Sequence, residues 1–173
     1  MAVGRRHAVS SRWAHPPAVL LPSGMRLTQA IGNGLVAGVV GTAAMTLSST
    51  IEMKVRGREP STVPARAAAK VLGVEPVGEP ERQRFATIVH WAYGTGWGAV
   101  RGVIGALGIR EPAAAALFLA IVWTTEQATL PALDIGVPPV SRWSVEEIAI
   151  DGLHHVVYAT TTSAVCDLLE ENA

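Results

Sequence analysis

Ionisable side chains interrupt segments of this chain that are otherwise apolar, and they are the residues best suited to do chemistry. Six of them are candidates for a polar interior: His90, Arg101, Glu126, Asp151, His154 and His155. Imidazole titrates near neutral pH and desolvated carboxylates retain their protons, so a chain of such groups can pass protons. Charged groups that face lipid are costly, which predicts that these side chains face one another or a wet cavity.

The sequence Asp151-x-x-His154 places a carboxylate and an imidazole one helical turn apart on one face. Joined to Glu126 and His90, this pair is a candidate metal site, because helical bundles hold metal ions with carboxylates and acid-x-x-His pairs. Only one helix carries such a pair, so no cofactor is expected and a bound metal is the lesser alternative. In the structural interpretation, Asp151 pairs with Arg101 or a histidine, and the histidines hydrogen-bond between helices.

Four apolar segments must position these side chains: 27–53, 82–107, 112–130 and 144–169. Each can form about 20 helical residues, the length that crosses a hydrocarbon core of about 30 Å. Hydrophobic residues make up 49% of the 173 residues and charged residues only 16%, whereas soluble domains carry about 25% charged residues. The sequence therefore predicts an all-α, four-helix transmembrane bundle that forms a single domain over 27–170.

A soluble helical bundle is the alternative to this fold. The fourth segment contains Asp151, and an aspartate at the centre of a span costs about 3 kcal/mol on the insertion scale. Residues 1–26 are excluded from the fold because they contain arginines and prolines without the apolar run of a signal peptide. They are predicted to be a disordered tail. The alternative is that the translation start is assigned too early and that Met25 is the natural first residue.

Composition and motifs also exclude several classes of protein. The formal net charge is zero and no basic stripe carries interleaved aromatics, so no nucleic acid partner is expected. The single cysteine, Cys166, excludes an internal disulfide and a cysteine-based metal site. The sequence has no Gly-x-Ser-x-Gly, Walker or dinucleotide-binding motif, which predicts that the protein is not an enzyme.

Glycines at spacings of four mark the faces on which the first two segments should pack. Gly34 and Gly38 lie in the first segment, and Gly94, Gly98 and Gly102 lie in the second. Small residues at this spacing let two helices approach closely, which is a common packing device in membranes. In a soluble helix each glycine would cost about 1 kcal/mol relative to alanine.

Residues between the segments predict three further features. Residues 64–72 should form a short helix capped by Ser61 or Thr62, and its basic residues beside an alanine face predict an amphipathic helix on the membrane surface. Ser144-Val145-Glu146-Glu147 is a capping box, which sets the start of the fourth helix. Lysine and arginine are concentrated in the first and third loops, so these loops are predicted to be cytoplasmic.

Three stretches together resemble the YagU-type family of small bacterial inner-membrane proteins. They are 34–40 (GLVAGVV), the glycine-rich span that follows His90-Trp91, and a C-terminal part with 131–139 (PALDIGVPP), Trp143, Glu146-Glu147 and Gly152-Leu153-His154. The resemblance covers most of 28–165. It implies an integral protein of the bacterial inner membrane, and it implies no particular mechanism.

These observations predict an integral membrane protein whose polar interior supports proton-linked or small-solute transport. Two alternatives stay open: a non-catalytic scaffold or assembly subunit of a membrane complex, and a metal-binding membrane bundle. The expected partners are the lipid bilayer and either a second copy of the chain or another subunit of a membrane complex.

Overall fold

The computed structural model describes residues 27–172, and over that range the chain is helical without a β-strand. A short 3-10 helix at Val140–Arg142 precedes the last of five α-helices. The α-helices are α1 (Leu27–Arg56), α2 (Val63–Leu72), α3 (Glu79–Ala106), α4 (Ala113–Ala132) and α5 (Val145–Glu171). The all-α prediction is confirmed, while the tail predicted at 1–26 lies outside the described residues.

The four apolar segments of the sequence correspond to α1, α3, α4 and α5. Among the described residues, α1 and α4 are long and apolar enough to cross a membrane. α3 and α5 have comparable lengths of 28 and 27 residues, but charged residues in their first turns and along their length make them more polar. Length and composition thus identify two candidate spans.

The backbones of α1 and α3 touch along their glycines. Gly34 and Gly38 of α1 lie against Gly94, Gly98 and Gly102 of α3. A Cβ atom added at Gly98 would collide with the carbonyl oxygen of Gly34 and with the backbone of Gly38. Side chains on this seam would therefore hold the two helices apart.

α5 packs against both of these helices, and α4 lies at the edge of the group. Tyr158 of α5 donates a hydrogen bond to the carbonyl oxygen of Gly94 at 2.6 Å, and the hydroxyl of Thr162 occupies the space beside Gly41. The Phe118 ring of α4 lies 5.7 Å from the Tyr158 ring, measured between centroids. The buried apolar cluster consists of Ile104, Ala114, Phe118, Val122, Tyr158 and Ala159.

The long connection from α1 to α3, which contains α2, and the connection from α4 to α5 lie at the same end of the bundle. Arg56 at the end of α1 forms an ion pair of 3.1 Å with Glu146 at the start of α5. Arg66 of α2 donates a hydrogen bond of 2.9 Å to the carbonyl oxygen of Ile135, which follows α4. The first and third loops therefore face the same side.

Many large apolar side chains lie on the outer faces of the helices, while several polar groups are buried in the interior beside the apolar cluster. Leu47 and Ile51 on α1, Ile88 on α3 and Leu153 on α5 are all exposed. Arg101, in contrast, has no exposed surface. An apolar surface of this extent marks contact with an apolar environment or partner.

The capping box predicted at the start of α5 is confirmed. The backbone N–H of Glu147 donates to Ser144 Oγ at 3.2 Å, and the backbone N–H of Ser144 donates to Glu147 Oε2 at 2.7 Å. At the start of α2 the backbone N–H of Val63 donates to Ser61 Oγ at 3.3 Å, whereas Thr62 makes no capping bond with its side chain.

Replacing Ser144 with alanine is expected to lower the free energy of unfolding by about 1 kcal/mol, because the N–H of Glu147 then loses its acceptor. Thermal unfolding of the purified protein measures the change. Thr62→Ala is the matched control, and it should have little effect because the Thr62 side chain caps nothing. Equal shifts for the two variants would contradict this prediction.

Candidate functional site

Glu126, Asp151 and His155 form a cluster between α4 and α5. Asp151 and His155 are four residues apart on α5, so both side chains point toward the same neighbour. His155 Nε2 lies 2.6 Å from Glu126 Oε2, and His155 Nδ1 lies 3.6 Å from Asp151 Oδ1. The His155 side chain is 6% exposed, and the Glu126 and Asp151 side chains are 24% and 22% exposed. The cluster thus lies just beneath the surface, with its imidazole inside.

Hydrogen bonds fix the orientation of both α5 side chains. His155 Nδ1 lies 2.9 Å from the backbone carbonyl oxygen of Asp151, and because a carbonyl oxygen only accepts, Nδ1 carries the hydrogen. Trp123 Nε1 donates to Asp151 Oδ2 at 2.6 Å, and the Gln127 amide lies 3.5 Å from the same oxygen. Nε2 is therefore the ring nitrogen that faces Glu126 and is available to a proton or a metal ion.

Negative charge is in excess in this cluster. Within residues 27–172, neither Glu126 nor Asp151 forms an ion pair with an arginine or a lysine, and their shared partner is His155. Two carboxyl groups therefore face a single imidazole. Charged groups removed from water require a counter-charge or a metal ion, so the arrangement favours an additional cation.

His154 points away from this cluster, toward α1. Its Nδ1 lies 2.8 Å from Ser48 Oγ, and its Nε2 lies 3.8 Å from Glu52 Oε2. Arg58 and Arg56 also bind Glu52, so the charge of this carboxylate is already compensated. The structure therefore brings His155, and not His154, to the carboxylates of the candidate metal site.

His90 lies on the seam between α1 and α3, outside the cluster. Its Nε2 is 2.8 Å from Thr46 Oγ1, and the Thr46 hydroxyl donates its own hydrogen to the carbonyl oxygen of Thr42 at 2.7 Å. Thr46 Oγ1 must then accept from His90, so Nε2 of His90 carries a hydrogen. This contact links the two helices, and within residues 27–172 His90 forms no ion pair with a carboxylate.

Arg101 belongs to a separate group of polar residues at the opposite end of α5. Its Nε donates to Ser163 Oγ at 2.8 Å, and its Nη2 lies 2.9 Å from Glu111 Oε1 and 2.6 Å from Asp167 Oδ1. Of the two partners that the structural interpretation allowed for Asp151, Arg101 or a histidine, the structure shows a histidine, His155. The arginine joins α3 to α5 and to Glu111 in the turn before α4, and within the described residues it forms no ion pair or hydrogen bond with Glu126, Asp151 or His155.

Several partners of the candidate residues did not emerge from the sequence. Glu111 and Asp167 bind Arg101, and the indole of Trp123 binds Asp151. The sequence does contain an indication for Asp167. It follows Ser163 by four residues, so the two side chains lie on the same face of α5, as those of Asp151 and His155 do.

No relative supplies a function for this arrangement. Comparison of the chain with profiles of protein families, with curated proteins and with solved structures finds no match. The chemistry of Glu126, Asp151 and His155 must therefore be inferred from their own geometry and charge.

Proposed function

We propose that the chain is a four-span integral protein of the bacterial inner membrane, in which α1, α3, α4 and α5 cross the bilayer. α1 and α4 have the required length and apolar composition. The more polar α3 and α5 bury Arg101 and His155 and expose apolar residues such as Ile88 and Leu153. A lipid environment favours this distribution, in which charged groups are buried and apolar side chains are exposed. The YagU-type resemblance implies the same topology.

The orientation proposed for this bundle places the first and third loops in the cytoplasm. The contacts of Arg56 with Glu146 and of Arg66 with Ile135 hold these loops at one end. Most of the lysine and arginine residues in the loops lie at that end, and the positive-inside rule assigns such loops to the cytoplasm.

Within this bundle we propose the transport of a small cation. The observation that carries the proposal is the cluster of Glu126, Asp151 and His155, where two carboxylates share one imidazole without an arginine or lysine partner among the described residues. Polar side chains continue along α5 to Ser163 and Asp167. From Asp151 to Asp167 the helix rises about 24 Å, at about 1.5 Å per residue, which is most of a hydrocarbon core of about 30 Å.

Reconstitution into liposomes tests this function with two probes. Entrapped pyranine reports proton entry, and quenching of entrapped calcein reports Co²⁺ entry. We expect wild-type protein from the membrane fraction to admit at least one probe. The Glu126→Gln variant should reduce that entry to the level of empty liposomes, because it removes one negative charge and preserves the size of the side chain.

Glu75→Gln is the matched control, since Glu75 is an exposed glutamate in the connection between α2 and α3. This variant should admit the probe as fast as the wild type. Undiminished entry through Glu126→Gln, or wild-type protein that admits neither probe, would overturn the transport proposal. The second result would favour the scaffold role in a membrane complex.

A further inference from the structure

The cluster between α4 and α5 has the donor set of a transition-metal site. Its three side chains each offer one ligand atom, and these atoms lie within 4.8 Å of one another. We propose that Glu126, Asp151 and His155 bind one divalent ion of the first transition series, through His155 Nε2 and one oxygen of each carboxylate. This inference rests on the proposed function, because the bound ion would be the cation that the bundle carries.

Groups outside the donor set already restrain the α5 ligands, and they hold His155 in the orientation typical of a metal-bound histidine. Metal-bound histidines almost always donate their second ring N–H to a carbonyl or a carboxylate, and His155 Nδ1 donates to the carbonyl oxygen of Asp151. Trp123 holds Asp151 Oδ2, while Oδ1 lies 3.6 Å from His155 Nδ1, so an Asp151 oxygen must turn toward Nε2 when an ion binds. This support is an observation independent of the three donors themselves.

A metal ion and the hydrogen between His155 and Glu126 exclude one another. Two ligand atoms about 2.1 Å from one ion, at about 90–110°, lie about 3.0–3.4 Å apart, whereas Nε2 and Oε2 are 2.6 Å apart. The Glu126 carboxylate must therefore withdraw by about half an ångström, which rotation of its partly exposed side chain permits. One ion then binds as one proton leaves to solvent.

Charge and ligand type select the class of ion. A neutral imidazole with two ionised carboxylates has two negative charges, which a divalent ion balances. A nitrogen donor beside carboxylates suits Mn²⁺, Fe²⁺, Co²⁺ or Zn²⁺, whereas Mg²⁺ and Ca²⁺ prefer oxygen donors alone. Two further titratable groups interact electrostatically with the cluster: Tyr93 on α3 with Glu126, and His154 on α5 with Asp151.

Titration with Co²⁺ tests the site in tag-free, chelator-treated protein in detergent. Visible absorption reports coordination, and a pH indicator reports proton release. We expect one Co²⁺ per chain, about one proton released per ion and no competition from excess Mg²⁺. His155→Gln should weaken binding at least about tenfold, since loss of the groups that merely orient a ligand already costs about that much.

His90→Gln is the matched control because it removes a histidine outside the cluster, and it should bind Co²⁺ as the wild type does. If His155→Gln fails to fold, Glu126→Gln tests the same site with an isosteric change. Equal Co²⁺ affinity in the wild type and the cluster variant would overturn the inference, because the ion would then bind elsewhere, such as at His7 and His15.

Liposome flux separates the metal site from the transport function. Proton entry without Co²⁺ binding would overturn the metal site and leave the proposed function intact. Co²⁺ binding that depends on His155, together with no entry of either probe, would support the metal site and overturn the proposed transport.

Discussion

Replacing Arg101 with methionine is expected to lower the free energy of unfolding by about 2–3 kcal/mol. The arginine is fully buried, and it binds Glu111, Asp167 and Ser163. Breaking a buried pair typically costs about 3–5 kcal/mol because one charge is left without a partner. The expected value is smaller here because the Glu111 and Asp167 side chains are 34% and 29% exposed and regain some solvation. Unfolding in mixed detergent micelles measures the change.

Two further variants separate charge from packing at this position. Arg82→Met is the control, because Arg82 is an exposed arginine of the same helix and forms no ion pair within residues 27–172; its effect should stay within about 0.5 kcal/mol. Adding Glu111→Gln and Asp167→Asn to Arg101→Met should recover much of the lost stability, since the unpaired charges are then gone. Failure of this rescue would contradict an electrostatic origin.

Replacing Gly98 with alanine is expected to lower the free energy of unfolding by about 1–3 kcal/mol, the usual range for an overfilled interior. The added Cβ would collide with the carbonyl oxygen of Gly34 and the backbone of Gly38. Neither is a flexible side-chain end that could rotate away, so α1 and α3 would have to separate. Their separation also loosens the contact between His90 and Thr46, which crosses the same seam.

Gly96 provides a control on the same helix. A Cβ added there has no neighbour within 4 Å among the described residues, so Gly96→Ala should be neutral or stabilise the protein by up to about 1 kcal/mol through its helix propensity. Unfolding of both variants under the same conditions gives the comparison. A stabilised Gly98→Ala variant would show that the seam is not closely packed.

The helices could be predicted from the sequence because their signals are local. Apolar segments of sufficient length, the capping box at Ser144 and Glu147, and the turn after each segment all depend on neighbouring residues. The sequence predicts α2 at 64–72, and the helix begins one residue earlier, at Val63, directly after Thr62 at the N-cap position. Differences of one or two residues are common at helix ends because terminal turns fray.

The pairing within the candidate site could not be predicted, because it depends on where the other helices lie. At 3.6 residues per turn, His154 and His155 are displaced from Asp151 by about 60° and 40°, in opposite directions around α5. Either histidine could therefore join the carboxylate. α4 lies on the side of His155 and α1 on the side of His154, and no local pattern in α5 encodes that choice.

The order of the helices along the chain bears on how the protein is made. α5 buries its polar side chains against Ser48, Arg101 and Glu126, which belong to α1, α3 and α4. The ribosome has therefore synthesised every one of these partners before α5 emerges, and domains fold progressively from their N-terminal parts during synthesis. α5, which buries these polar side chains, is thus synthesised after the helices that bind them.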